Sequence, residues 1–248
     1  MPEPVLSVRN LTAGYNGVQA VRDLSFDLDA GEVLAVLGPN GAGKTTALLS
    51  MVGLIPLMSG EVHALGRKVE TRRPHQLARR GVMLVPDDRG VFFGLTAKEH
   101  FRLARRKPDK QREEQVLDRF PALRNLLNRR TGLLSGGEQQ MLTIAKAILA
   151  QPKILMIDEM SLGLAPKIVQ EMLPSIRDLA KEEGIGLIVV EQHIELALSV
   201  ADRGLILNHS RVVLDAPAKS LLGRREEVEA AYFGVDEHGD ADAEMLHS

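Results

Sequence analysis

Gly38-Pro39-Asn40-Gly41-Ala42-Gly43-Lys44-Thr45 decides the fold. It follows Val33–Leu37, a short continuous apolar run of the kind buried on both faces of a sheet, and it precedes Thr45–Val52, which reads as a helix. Strand, glycine-rich loop and helix in that order form the phosphate-binding pattern. The chemistry requires these residue types. Glycines at 38, 41 and 43 let the backbone turn with its N–H groups inward, making a nest for phosphate oxygens. The helix that begins near Gly43 adds the partial positive charge of its N-terminus. Lys44 brings a cation to the outer phosphates of a nucleotide, and the Thr45 hydroxyl is a ligand for Mg2+.

Working outward, further buried-strand candidates are Gly81–Val85, Ile154–Ile157, Ile185–Val190 and Gly204–Leu207. Helical patterns over Ser135–Ala150, Pro166–Lys181 and Ile194–Ala201 lie between them, with Pro174 expected to bend the second. Such alternation predicts an α/β protein with a mostly parallel sheet covered by helices on both faces. The N-terminal part differs. Val5–Leu11 and Val18–Leu28 alternate like strands and are separated by the turn cluster Gly14-Tyr15-Asn16-Gly17.

The second half of the site is Ile154-Leu155-Met156-Ile157-Asp158-Glu159. A buried strand that ends in Asp delivers a carboxylate to the carboxyl edge of the sheet, where the phosphate loop also opens. Asp158 is the expected metal-holding residue, and Glu159 the residue that polarises the attacking water. A third motif, Leu134-Ser135-Gly136-Gly137-Glu138-Gln139-Gln140, has Ser135 as N-cap and Glu138 three residues on, a capping box. The same serine hydroxyl and glycine amides at a helix start also suit a second anion site.

Composition narrows the class. Of 248 residues 44 % are hydrophobic and 26 % charged, with 31 basic against 33 acidic side chains, so no global positive field marks a nucleic-acid binder. The absence of Cys excludes disulfides, thiolate metal sites and cysteine nucleophiles. No Trp, two Tyr and six Phe leave little for a base-stacking platform. No apolar run is long enough to span a bilayer, and Met1–Asn10 lacks the order of a signal peptide, so a cytoplasmic chain is expected. Charge is uneven, however. Arg67–Arg130 carries 18 basic against 8 acidic residues, and Thr96–Asn128 within it has helical spacing. It reads as a solvated helical insertion, or else as a surface that meets acidic groups. Asp215–Ser248 reverses the balance, 3 basic against 9 acidic, and ends in a loose tail over Asp236–Ser248.

On these three motifs, in this order, the chain resembles the ATP-binding subunits of the ABC transporter family over Leu6 to about Gly234. The resemblance implies a P-loop NTPase of the ABC type, with an N-terminal antiparallel β subdomain and a helical subdomain over about 87–152. That makes one domain over 1–234 and an acidic tail over 235–248. It implies ATP and Mg2+ as cofactors, with Pro39, Asn40, Ala42 and Thr46 joining Gly38, Gly41, Gly43, Lys44 and Thr45 around the nucleotide. Tyr15 matches the aromatic residue that stacks on adenine. Ser135, Gly136, Gly137 and Glu138 match the signature that closes over the ATP of a partner chain. Lys44, Glu159 and Gln192 fall in the hydrolytic positions, and Thr45, Asp158 and Asp87 in the metal-binding ones. Ser161-Leu162-Gly163-Leu164 matches the loop that crosses the dimer interface.

Two positions depart from the general family pattern. Asp87 stands where the family usually has glutamine, and Gln192 where it has histidine, leaving His193 one residue late as a local loop residue. Met160 also replaces a proline. Val85-Pro86-Asp87-Asp88-Arg89 with Phe92-Phe93-Gly94-Leu95-Thr96, Ser161–Pro166, Val190-Glu191-Gln192 and Ala231-Tyr232-Phe233-Gly234 resemble the second ATPase subunit of branched-chain amino-acid importers, where an acidic residue and a non-histidine are expected at those positions. Urea and amide importers share much of this pattern. The implied partners are a head-to-tail cassette (a second copy or a different ATPase subunit), integral membrane permeases and, indirectly, a solute-binding protein. The implied place is the cytoplasmic face of the inner membrane. A soluble ABC ATPase acting on nucleic acid and a slow regulatory subunit are the competing readings.

Overall fold

Val33–Leu37 (β3) is apolar and buried at all five positions, which is possible only in the interior of a sheet covered on both sides. The computed structural model describes residues 3–105, 109–161, 164 and 166–234. In it β3 is flanked by parallel strands on both sides: Gly186–Glu191 (β8) and Arg203–Asn208 (β9). Ile154–Asp158 (β7) and Val82–Val85 (β6) continue the parallel set beyond β8, and Arg211–Pro217 (β10) adds an antiparallel edge on β9, giving the order β10-β9-β3-β8-β7-β6. The expected mostly parallel α/β core is therefore present.

Side-chain alternation assigns each strand residue to a face. Leu155, Ile157, Leu187 and Val189 pack with helices Gly136–Leu149 (α5) and Pro166–Glu183 (α6). Ile154, Met156, Ile188 and Val190 pack the other way, onto Lys44–Met51 (α1) and a second sheet. The β3 residues Ala35 and Leu37, with Ile206, pack onto Ile194–Val200 (α7), Ala218–Leu222 (α8) and Arg225–Phe233 (α9).

The second sheet is antiparallel, ordered β2-β1-β4-β5 from Val18–Leu28, Leu6–Tyr15, Leu57–Ala64 and Arg67–Lys68. The strands run further than the turn cluster suggested. Tyr15 pairs with Val18, so only Asn16 and Gly17 turn, both at positive φ as a two-residue hairpin requires. Sequence periodicity missed β4, because Ser59-Gly60 falls at a bulge and only Val62 and Ala64 are buried. It missed β10 as well, an edge strand without a fully buried residue.

The helices also differ from expectation in one place. Thr96–Asn128 is not one helical run but Ala97–Ala104 (α3), Lys110–Arg119 (α4) and a 3-10 segment Pro121–Leu126. Pro121 cannot continue α4, so the chain turns there. α6 spans Pro166–Glu183 with exposed Pro174 inside it. A further short helix, Pro74–Arg80 (α2), precedes β6. Buried Arg112 ties α4 to the helices behind it, donating to Glu183 at 2.8 Å and to the Ile148 carbonyl at 3.1 Å. The acidic tail read over 235–248 lies outside the described residues.

Candidate active site

β3 ends at Leu37 and α1 starts at Lys44, so the glycine-rich loop joins them at the carboxyl edge of the sheet. Close packing dictates two of its glycines. A Cβ at Gly43, where φ is 99°, would lie 2.1 Å from the Ala20 carbonyl oxygen of β2, and a Cβ at Gly38 would lie 2.3 Å from that of Leu207. The loop is thus pressed between the two sheets, and only glycine fits at either point. Within it the Ala42 N–H donates to the Pro39 carbonyl at 3.2 Å, while Asn40 and Gly41 are exposed at its tip. Lys44 is nearly buried and donates to the carbonyls of Gly38 at 2.7 Å and Pro39 at 3.0 Å. Burial lowers its pKa, against the opposing pull of Glu159, Asp158 and Glu191. Thr46 is buried in the first turn of α1, its carbonyl accepting from Ser50 Oγ.

Strand order brings the acids to this loop. β8 lies between β3 and β7, with Leu37 opposite Glu191 and Val190 opposite Asp158. Glu159 is held at φ 43°, a left-handed conformation costly for a residue with a side chain, and its N–H donates to the Val190 carbonyl at 3.0 Å. Gln192 Nε2 donates to Glu159 Oε1 at 2.9 Å, and Lys44 Nζ stands 3.8 Å from the same oxygen. Asp158 is 2 % exposed, and its Oδ1 has no hydrogen-bond partner among the described residues. Burial pushes its carboxyl up to about 6. The charges of Glu159 and Asp87 add to this, while the Thr45 hydroxyl and Lys44 oppose it. Asp87 itself is exposed just beyond β6 and reaches the site through its charge.

The remaining expected site residues lie elsewhere. Tyr15, 52 % exposed, sits at the end of β1, in the hairpin whose second strand touches Gly43. Ser135 caps α5 and completes the capping box: its N–H donates to Glu138 Oε2 at 2.7 Å, and its Oγ accepts from the Glu138 N–H at 3.3 Å. Gly136 and Gly137 form the first turn of α5. Among the described residues no hydrogen bond or ion pair joins Ser135–Glu138 to the phosphate loop. His193 is exposed at the N-cap of α7, and its side chain makes no cap hydrogen bond. Leu162 and Gly163 lie outside the described residues.

Two residues that stand in quoted motifs without an assigned role shape these elements. Arg89 sets its guanidinium over Gly136 and donates to Gln139 Oε1 at 3.3 Å, while its carbonyl accepts from Thr143 Oγ1 at 2.7 Å, so the Asp87 loop rests on α5. Glu191 is an acid buried at the end of an apolar strand. Besides its place in Val190-Glu191-Gln192, the sequence offered a physical signal for it: the apolar run Ile188-Val189-Val190 leads straight into a charged residue, with no turn residue between.

A parallel sheet with a phosphate-type loop after one strand, and two acids at the end of another, defines a P-loop nucleotide hydrolase. Comparison with known proteins carries the assignment further. The ABC transporter family profile matches residues 21–161. The high-affinity branched-chain amino acid transport ATP-binding protein BraG of Pseudomonas aeruginosa is 36 % identical over 234 residues, covering 93 % of this chain and 100 % of that protein. The Archaeoglobus fulgidus "Probable branched-chain amino acid transport ATP-binding protein LivF" is 34 % identical, covering 93 % and 99 %. Among solved structures, a bacterial ABC transporter cassette determined as a dimer matches with a TM-score of 0.78 at 24 % identity, covering 86 % and 98 %, a likeness of fold. The chain belongs to the ABC transporter family and is one of its ATP-binding, ATP-hydrolysing subunits. Among the described residues no helix is long and apolar enough to cross a membrane.

Proposed function

We propose that this chain powers import of branched-chain amino acids by hydrolysing ATP, with Glu159 as the general base. The observation that carries the reading is the Glu159 carboxylate itself, fixed by Gln192 at 2.9 Å and set 3.8 Å from Lys44 at the mouth of the phosphate loop. A base held at one place beside the phosphate site meets the geometric demand of water activation. Lys44 and the N–H groups of Gly38–Thr46 bind the phosphates, and Tyr15 stacks on the adenine. Gln192 orients Glu159, a role it performs without needing to become cationic.

The donor set fits Mg2+. Asp158 keeps a buried carboxylate oxygen without a partner among the described residues, and the Thr45 hydroxyl lies beside it. These two residues would hold the ion, with Asp87 contributing negative charge from the adjacent strand end. When bound, Mg2+ neutralises charge on the outer phosphates. The protein residues align the phosphates, hold the base and remove the proton of the attacking water at Glu159.

Among the described residues the signature Ser135-Gly136-Gly137-Glu138 makes no hydrogen bond or ion pair with its own phosphate loop, which supports a head-to-tail pairing in which each ATP lies between two cassettes. Whether the second cassette is a copy or a different subunit, both would dock on permeases at the cytoplasmic face of the membrane, fed indirectly by a solute-binding protein. The cassette domain spans 1–234 with a helical subdomain over about 87–152. The amino-acid substrate is supported by the two relatives whose names specify branched-chain amino acid transport. Urea or amide import predicts that those solutes, and not leucine, stimulate hydrolysis in the assembled transporter. A nucleic-acid role predicts a salt-dependent shift of DNA or RNA. Glu159→Gln is expected to retain ATP binding while hydrolysis falls by about two orders of magnitude or more; unchanged turnover removes Glu159 from the base role.

A further inference from the structure

We infer that Glu191 is a positioning residue of the hydrolytic site: its carboxylate grips both polar groups of Ser161 and so fixes the segment Glu159–Ser161 against the end of β8. The inference rests on the role proposed above for Glu159. Glu191 is 1 % exposed. Its Oε1 accepts from the Ser161 N–H at 2.9 Å, and its Oε2 accepts from the Ser161 hydroxyl. Ser161 follows Glu159 by two residues, with fully buried Met160 between them.

Three successive residues of one strand end therefore hold the segment that follows the next strand. Val190 takes the Glu159 N–H through its carbonyl, Glu191 takes Ser161, and Gln192 donates to the Glu159 carboxylate. The arrangement answers a specific need. Glu159 sits at φ 43°, and a strained backbone persists only where its surroundings over-determine it. Val190 fixes the start of the segment, Gln192 its side chain and Glu191 its far end.

Stability does not account for the residue. An acid this buried costs folding free energy through desolvation, and replacing it together with its serine by apolar residues of similar shape is generally neutral or stabilising. Burial accordingly raises the carboxyl pKa, while the two Ser161 contacts oppose the rise. What a leucine would not supply is a two-pronged acceptor for one serine. An amide would serve both prongs: Gln at this position accepts from the Ser161 N–H through Oε1 and donates to the Ser161 oxygen through Nε2.

The test compares steady-state ATP hydrolysis, equilibrium nucleotide affinity and thermal midpoint for the full chain, at concentrations that allow cassette pairing. The variants are Glu191→Leu, Glu191→Gln, Ser161→Ala, the Glu191→Leu/Ser161→Ala double and Glu159→Gln. Glu191→Leu is expected to lower kcat about tenfold with nucleotide affinity within about twofold of the parent, because the Glu191 carboxylate bonds Ser161 and not the phosphate loop. Glu191→Gln is expected to recover kcat to within about threefold of the parent, and Ser161→Ala to lose about threefold by giving up one prong. The double variant should be no worse than Glu191→Leu alone, since both act through one contact.

A kcat for Glu191→Leu within about twofold of the parent overturns the inference. So does a glutamine variant as slow as the leucine one, or a double variant whose losses multiply. Should Glu191→Leu fail to fold, Ser161→Ala decides, and an unchanged kcat there overturns the inference. An active Glu159→Gln chain rejects the base role and this inference with it. An inactive Glu159→Gln chain beside a parent-like Glu191→Leu rejects the positioning alone.

Discussion

Replacing Asp158 by Asn tests the electrostatics of the site most directly. The carboxyl is 2 % exposed, one oxygen has no partner among the described residues, and burial moves its pKa from 3.8 to about 6. At about 1.4 kcal/mol per pKa unit, the ionised carboxylate destabilises the ligand-free fold by about 3 kcal/mol near neutral pH. Asn removes the charge but brings an amide N–H that must find a partner, a cost of about 1–3 kcal/mol. The balance is a gain of about 1 kcal/mol, or about 2–4 °C in the thermal midpoint for a chain of this size. Differential scanning calorimetry without ligand reads that gain. Titration of ATP with and without Mg2+ reads the opposite effect, loss of about tenfold or more in the Mg2+-dependent part of the affinity. A variant that melts below the parent and keeps its Mg2+ dependence would refute the reasoning.

The stability gap between parent and Asp158→Asn should itself depend on pH. A carboxyl raised on folding is penalised when ionised and free of penalty when protonated, so the advantage of the Asn variant is full above about pH 6 and reverses toward about pH 4, where only the amide cost of about 1–3 kcal/mol remains; parallel melts in that window check it, and a constant gap contradicts it. Lys44→Ala should weaken ATP binding about a hundredfold by titration calorimetry, since a buried cation is lost from the phosphate site, and an intact affinity would contradict the loop's role. Arg112→Met should lower stability by about 2–3 kcal/mol in urea melts, because Glu183 and the Ile148 carbonyl lose their donor. The ATP affinity of the folded fraction should be unchanged.

Much of the site was legible because it is written in short local patterns. The phosphate loop, the apolar strands β3, β7 and β8, the Asp158-Glu159 pair and the Ser135–Glu138 capping box each declare themselves within about ten residues, the range over which backbone geometry and side-chain period act. The loop glycines were legible as to residue type, although their reason is tertiary at two points: Gly38 and Gly43 face the backbones of Leu207 and Ala20. Strands β4 and β10 were not legible. One is interrupted by a bulge and the other lies at an edge, so neither shows the burial pattern that marks a strand.

What the sequence alone determined is an inventory of chemical groups: a phosphate nest, a cation, two acids at a strand end and a capped helix bearing the signature. Only the tertiary structure decided which groups meet. The placing of β8 between β3 and β7 carries Glu191 and Gln192 to the loop and to Glu159, and it sets Ser161 within reach of Glu191. Among the described residues the start of α5 makes no hydrogen bond or ion pair with the phosphate loop, while Ser135 and Glu138 bond to each other and Arg89 covers Gly136. The reason is physical. Local propensity depends on near neighbours in the chain, whereas strand order and the pairing of buried polar groups depend on how distant apolar faces are covered. Residues as far apart in sequence as Ser161 and Glu191 enter that balance together.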